Sequence, residues 1–272
     1  MALALGGLLG AAGRIDASGS DPCRASPGAP RLDHVVVVVR DLDAAAKSFG
    51  DLGFRFKPGR LHANNLRNRH IKFRNGTELE LMTLAGPPKD RMAQDYAQLL
   101  EAGPGGAYVA LSARDLDALA ATAERVGLTT RRTTAGSWQF LSFPGLPDAA
   151  AVFFGSGWVP PADPDSVFAH SNGAIGLEEA WLEAGPGFDR LLQASGAAPC
   201  GSVTLPNERQ GERWALGSGT LVVVRPRLPG AVPRVLGVGL TAKERAAAGP
   251  AEVEPMPGLW LAWRNEPPSR ER

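Results

Sequence analysis

The residues best suited to chemistry lie on three short segments. His34 opens the run His34-Val35-Val36-Val37-Val38-Val39. Asn68 precedes, and His70 and Lys72 lie within, Arg69 to Phe73, while Glu78 and Glu80 stand in Thr77 to Thr83. Each segment has strand length and an apolar or β-branched bias. Alternate side chains of a strand share a face, so Leu79 and Leu81 oppose Glu78, Glu80 and Met82, and Ile71 and Phe73 oppose His70 and Lys72. By the same parity His34 goes with Val36 and Val38, opposite Val35, Val37 and Val39. An imidazole and carboxylates aimed into one cavity form half of a site for iron, manganese, zinc or nickel, because neutral nitrogen and anionic oxygen suit these ions. Glu80 or His70 could instead move a proton, with Asn68, Lys72 and Glu78 contacting a substrate. On the bland reading these groups only give a pocket its polarity, with Trp138, Phe140 and Phe154 as apolar walls.

What must position these groups is a repeated unit. The pentapeptide Arg-Asp-Leu-Asp-Ala occurs at Arg40 to Ala44 and at Arg114 to Ala118, and each copy is followed by a glycine, Gly53 and Gly127, at the same spacing of 74 residues. Before each copy runs a strand, His34 to Val39 and Tyr108 to Ser112. Asp41 or Asp43, and Asp115 or Asp117, can cap the helix that follows. Leu42, Ala45, Ala46 and Phe49, then Leu116, Leu119, Ala120 and Ala123, recur at helical spacing, and the glycines stop the helices. Three more strands follow each: Phe54 to Lys57, Arg69 to Phe73 and Thr77 to Thr83, with a turn at Asn75-Gly76; then Thr129 to Thr133, Trp138 to Phe143 and Ala151 to Phe154. The expected fold class is α+β, built from repeated βαβββ modules that pair to enclose a cavity.

Beyond Pro160 the pattern starts again with less fidelity. Ala174 to Ala184, Phe188 to Ala194, Ser202 to Leu205, Trp214 to Leu216 and Leu221 to Val224 suggest a degenerate third module. Val235 to Leu240, a short helix at Ala242 to Ala248, and Leu259 to Trp263 suggest part of a fourth. The division expected is a leader over 1–30, a module pair over 31–160 and the degenerate modules over 161–272. Gly103 to Gly106, Pro160 to Pro164 and Leu228 to Pro233 are the expected connections.

Apolar residues make up 44% and charged residues 21%, with a formal net charge of +1, which suggests neither a disordered polyelectrolyte nor a nucleic-acid surface. The basic stretch Arg60 to Arg74 lacks the aromatic interleaving of a nucleic-acid platform. No segment approaches the roughly 20 apolar residues needed to span a bilayer. Ala2 to Gly13 resembles the later part of an export signal, but no Lys or Arg precedes it; a cytoplasmic location is favoured and export is the alternative. Cys23 and Cys200 can form one disulfide if the chain is exported. No nucleophile elbow, P-loop or dinucleotide fingerprint is present.

Leu32-Asp33-His34-Val35-Val36, Arg40 to Ala44, Leu52-Gly53-Phe54 and Asn75-Gly76-Thr77-Glu78-Leu79-Glu80-Leu81 resemble the glyoxalase-like branch of the vicinal oxygen chelate superfamily, over about residues 31 to 160. His170 to Gly176 resembles the motif that opens the next module. The resemblance implies cavity-forming domains of the glyoxalase and extradiol-dioxygenase type, and metal ligands on the first and last strands of a module, here His34 and Glu80. The second module departs from the pattern, since the corresponding positions are Tyr108 and Phe154. Two ligands fall short of the three usual for a catalytic metal; His70, Glu78 or His170 would have to complete the shell, or no metal binds. Glu179 aligns with His34 in the third module, but its final strand carries Val223, so a single cavity is expected.

Two functions follow. One is a divalent-metal-dependent lyase, isomerase or dioxygenase acting on a small organic substrate that chelates through neighbouring oxygens. The other is a non-catalytic binder of a small molecule on the same fold. Trp181, Trp214, Trp260 and Trp263 are read as core, and a homodimer is possible because modules can pair within or between chains.

Overall fold

The structure, a computed structural model, describes residues 23–156, 163–206, 208–226, 233–242 and 251–265. The first module runs β1 (Arg31–Val38), α1 (Leu42–Asp51), β2 (Lys57–Leu61), β3 (Leu66–Lys72) and β4 (Glu78–Leu84). β1 pairs in parallel with β4, β4 with β3 antiparallel, and β3 with β2 antiparallel. A helix, α2 (Arg91–Ala102), leads to the second module: β5 (Gly105–Ser112), α3 (Leu116–Arg125), β6 (Arg131–Ala135), β7 (Trp138–Ser142) and β8 (Val152–Ser156). β5 pairs in parallel with β8, and the two modules join where β1 runs antiparallel to β5. The result is one curved sheet in the order β2-β3-β4-β1-β5-β8-β7-β6.

The C-terminal half has the same pairing logic. β9 (Ala174–Glu183), α4 (Gly187–Ala194), β10 (Ala198–Thr204), β11 (Gln210–Ala215) and β12 (Thr220–Val224) are followed by β13 (Arg234–Ala242), β14 (Glu252–Met256) and β15 (Leu259–Asn265). β9 is parallel to β12 and antiparallel to β13, and β13 is parallel to β15. The paired strands of the two halves meet at Val235 and Gly106. A second bridge joins Arg31 to Ser218, with backbone hydrogen bonds from Leu32 to Ser218 and from Gly217 to Pro30, and side chains complete the fusion: α1, α3 and α4 and the sheet faces beneath them share one apolar core, in which Phe49, Leu79, Leu81, Phe154, Phe188 and Leu191 have no exposed surface. At about 25 cal/mol per Å² of apolar surface, burying each such side chain contributes roughly 2 kcal/mol.

Local chemistry explains the helix ends. Asp41 accepts from the amides of Asp43 and Ala44, and Asp115 from that of Ala118, so the first aspartate of each pentapeptide is the cap. The second is left for the surface, where Asp43 pairs with Arg69 and Asp117 with Arg132. Gly53 and Gly127 reverse the chain at φ +89° and +78°, a region where a Cβ is strained.

Several expected elements differ. β2 starts at Lys57 and not at Phe54, because Phe54 turns inward to meet Phe49, Phe73 and Trp263 and does not join the ladder. β6 begins two residues later than expected. Gly105 and Gly106, read as a connection, belong to β5. α2 was not anticipated; Asp90 caps it, and Ala93, Tyr96 and Leu100 give it a buried stripe. That stripe packs on Val36, Val38, Leu66 and Met82, closing one end of the concave face of the first module. Cys23 and Cys200 are bonded, tying the segment before β1 to β10. The helix expected over residues 242–248 lies outside the described residues except for Ala242, which ends β13. The expected leader as far as residue 22, and most of the connections at Pro160 to Pro164 and Leu228 to Pro233, also lie outside them. Of the tryptophans read as core, Trp181 and Trp214 are fully buried, and Trp260 and Trp263 are partly so.

Candidate functional site

Parity and register place the polar residues as expected on the concave face. His34 is opposite Glu78 and Val36 opposite Glu80 across β1 and β4; His70 faces Glu80 and Lys72 faces Glu78 across β3 and β4. α2 takes up the apolar end of this face, so His34, Glu78, Glu80, Asn68, His70 and Lys72 are gathered at the other.

They form two groups. In the first, His34 Nδ1 lies 2.7 Å from Asp33 Oδ1 and His34 Nε2 lies 3.9 Å from Glu80 Oε2. Asn68 donates from Nδ2 to Glu80 Oε1 at 2.7 Å, and its own Oδ1 accepts from the Arg60 amide, so both ends of the amide are fixed. Burial opposes charge on the His34 ring, but the Asp33 hydrogen bond and the charges of Asp33, Glu80 and Glu78 outweigh it and lift its pKa to about 9. His34 is therefore an imidazolium at neutral pH. Tyr96 from α2 stands over this group, its hydroxyl pushed well above the ordinary range by burial and then by Glu80.

In the second group, Lys72 Nζ lies 2.9 Å from Glu78 Oε2 and 3.6 Å from Asp163 Oδ2, with Lys57 2.6 Å from the other oxygen of Asp163. His70 Nδ1 is 3.3 Å from Glu78 Oε1, within ion-pair range but without the alignment of a hydrogen bond. Burial would raise the Glu78 pKa, yet His70, His34 and Lys72 hold it well below the usual carboxylate range. Lys72 and Glu78 thus neutralise each other. Two participants were not foreseen. Asp163 lies far along the chain from its partners, and His62, whose buried Nε2 has no hydrogen-bond partner among the described residues, is affected by Asn68 and Glu80. Nothing in the parity of the strands points to either.

The second module supplies an aromatic wall. Tyr108 on β5 faces the hollow, and its ring meets Tyr96 at 5.5 Å and Phe153 at 6.1 Å. Phe153, and not Phe154, is the counterpart of Glu80: Ala110 is opposite Phe153 as Val36 is opposite Glu80, while Phe154 points into the core. The expected register failed by one residue because the second module is one residue shorter between its first and last strands. Phe153 also meets His34 edge-on at 5.9 Å and Phe140 at 5.8 Å. Trp138 and Phe140 stack with an interplanar angle of 1° and centroids 6.0 Å apart. Trp138, Phe140, Phe153 and His34 border a cleft of about 790 Å³ that runs on to Arg31, Arg114 and the Gly28–Ala29 segment.

His170 is placed elsewhere. It sits between Phe54 and Phe73 on the helix side, accepting the Arg55 amide at Nδ1 and donating to the Lys72 carbonyl from Nε2, a neutral ring with both nitrogens used in packing. Among the described residues no three His, Cys, Asp or Glu side chains converge closely enough to hold a metal ion. The corresponding face of the third module is packed shut. Trp181 fills it with Leu205, Val222, Val224 and Ala262, and Glu179 is bound by Arg213, Arg264 and the Trp181 indole. Val222, not Val223, faces that side, because Val222 is the partner of Trp181 in register.

No helix among the described residues is long and apolar enough to cross a membrane. Among curated proteins, no sequence matches this chain. Its fold is similar to that of a hypothetical protein from Staphylococcus aureus, with TM-score 0.62, 12% identity, and coverage of 87% of this chain and 99% of the other. It is also similar to a mutant of 4-hydroxymandelate synthase from Streptomyces coelicolor, with TM-score 0.55, 14% identity, and coverage of 80% and 72%. A xylose isomerase-like TIM barrel/4-hydroxyphenylpyruvate dioxygenase fusion protein matches at TM-score 0.53 and 12% identity, over 82% of this chain and 38% of the fusion. The family model of the glyoxalase-like domain matches residues 32–186, more than half of the chain, and includes both polar groups and the aromatic wall just described. The chain belongs to the glyoxalase-like domain family, within the vicinal oxygen chelate superfamily.

Proposed function

We propose that the N-terminal module pair binds a small organic molecule in the cleft beside His34, with that ring as its polar contact and Phe153, Phe140 and Trp138 as its apolar wall. The observation that carries this is the position of His34 at the junction of the two walls. Asp33 engages Nδ1, and Nε2 has no protein hydrogen bond among the described residues. A cationic N–H held in place beside apolar rings suits an anionic or strongly polar oxygen on the ligand.

A divalent cation would call on His34 and Glu80, whose spacing of 3.9 Å lets one ion reach both. The rest of the donor set does not fit. No third ligand converges among the described residues, and Tyr108 and Phe153 occupy the matching positions of the second module. This favours the binding reading over metal-dependent lyase, isomerase or dioxygenase chemistry.

A second reading rests on that same spacing. An imidazolium N–H beside a carboxylate is a donor and acceptor pair for proton transfer next to a carbonyl: His34 would stabilise the enolate oxygen and Glu80, positioned by Asn68, would take the proton. Incubation with 2-oxo acids in D₂O separates the two. A binder shifts its melting temperature with ligand and returns the compound unlabelled; an enzyme exchanges the proton next to the carbonyl, and Glu80→Gln abolishes the exchange. A cleft that binds none of the compounds, or binds them equally well in His34→Gln, would reject the site. The Cys23–Cys200 bond supports an oxidising compartment over the cytoplasm.

A further inference from the structure

We propose that the cleft selects flat, conjugated organic anions, with the ring system lying against Trp138 and Phe140 and the acidic group held by Arg31 or Arg114. This deepens the binding reading above and rests on it. β7 presents Trp138 and Phe140 two positions apart on one face, stacked with parallel planes and centroids 6.0 Å apart, and both half-buried rings border the cleft. Phe153 stands edge-on to Phe140 and closes the pair on the His34 side. Aliphatic walls would accept any apolar shape; a plane bounded by a perpendicular ring favours a planar body, stacked below and met at its edge.

The charge on the rim is one-sided. Arg31 and Arg114 both border the cleft and are exposed, and neither side chain has an ion-pair or hydrogen-bond partner among the described residues. By contrast, Arg69, Arg74 and Arg132 are each matched by an aspartate. The one carboxylate bordering the cleft among the described residues, Asp33, is engaged by His34. A guanidinium offers paired donors to a carboxylate and stacks on aromatic planes, so both halves of an aryl acid find a partner. The cleft, at about 790 Å³, is also larger than an acid of a few atoms needs and within the range that holds drug-sized ligands.

Isothermal titration of the full chain with 2-naphthoate, 2-naphthol and cyclohexanecarboxylate tests this. Naphthoate should bind at least about tenfold more tightly than either analogue, one lacking the charge and the other the plane. Phe140→Leu keeps apolar bulk but removes the face, and should weaken naphthoate about threefold to tenfold. The double variant Arg31→Gln, Arg114→Gln should bring naphthoate to the level of naphthol. Melting curves of each variant check that it folds; both changes are at partly or fully exposed positions. Equal affinity for the three compounds, or naphthoate binding unaltered in both variants, overturns the selection. The parent reading fails separately: naphthoate bound equally by wild type and His34→Gln removes His34 as the polar contact and leaves the aromatic wall standing. Small 2-oxo acids bound with dependence on His34, with naphthoate not bound, have the opposite meaning.

Discussion

Replacing Asp33 with asparagine should move the His34 titration, and the size of the movement can be worked from the contacts. In the native chain the ring is raised from 6.5 to about 9 although burial opposes its charge. A rise of that size corresponds to roughly 3 kcal/mol favouring the protonated folded state, at ~1.4 kcal/mol per pKa unit. Because the folded pKa lies above the unfolded one, this stabilisation is fully present below about pH 6.5 and is lost as pH rises through about 9. The Asp33→Asn side chain would keep a hydrogen bond to Nδ1 but lack the charge, so a charge-assisted bond worth roughly 1.5–3 kcal/mol weakens. The pKa should fall by about one to two units, with Glu80 and Glu78 still opposing burial. Two-dimensional NMR of the histidine Cε1–Hε1 resonances between pH 5 and 10, assigned with His→Gln variants, reads this directly. His62 and His170, lowered by burial, give internal references that titrate below the ordinary value. A native His34 midpoint at or below 6.5, or no change in Asp33→Asn, would refute the reasoning about the site's charge.

Three further outcomes follow from packing and pairing. Gly106→Ala puts a methyl on the Val235 carbonyl, where the paired strands of the two halves meet, and should cost about 1–3 kcal/mol in urea unfolding; a neutral result would mean that this junction is loose. Lys72→Met leaves Glu78 and Asp163 facing each other with less compensation, and should cost about 3–5 kcal/mol at pH 7 with much of the loss recovered at low pH, as circular dichroism melts would show. Cys23→Ser removes the tie that holds the Gly28–Ala29 wall of the cleft near β10, and should lose about 2–4 kcal/mol while leaving the far-UV spectrum unchanged; equal melting temperatures for native and variant chains would count against the bond.

How much of this was legible in the sequence depended on whether the signal was periodic. The alternation of Val35, Val37 and Val39 with His34, Val36 and Val38, and of Leu79 and Leu81 with Glu78 and Glu80, fixed which side chains face the hollow, because strand parity is local. The duplicated pentapeptide located both capped helices for the same reason. Register between modules was not local: a one-residue deletion in the second module exchanged Phe154 for Phe153, and the same slip of one put Val223 where Val222 stands. α2 escaped because its stripe of Ala93, Tyr96 and Leu100 is sparse and lies between two recognised modules, yet it decides the shape of the cavity by filling one end of it. The roles of the candidates were less visible than their positions. His70 and Lys72 lie where parity puts them, but Glu78, and for Lys72 also Asp163, engage them, a pairing that depends on a segment far along the chain. His170 carries a motif that resembles a module opening, and its ring is a neutral packing element.

The account turns on His34 being a cation that meets a ligand, and not a ligand to a metal. ¹⁵N-histidine spectra at pH 7.5, recorded with and without added Zn(II) or Mn(II), test it most directly. The prediction is a His34 ring with both nitrogens protonated, undisturbed by either ion. A neutral ring whose Nε2 resonance shifts or broadens as the metal is added, and stops doing so in Glu80→Gln, would contradict it.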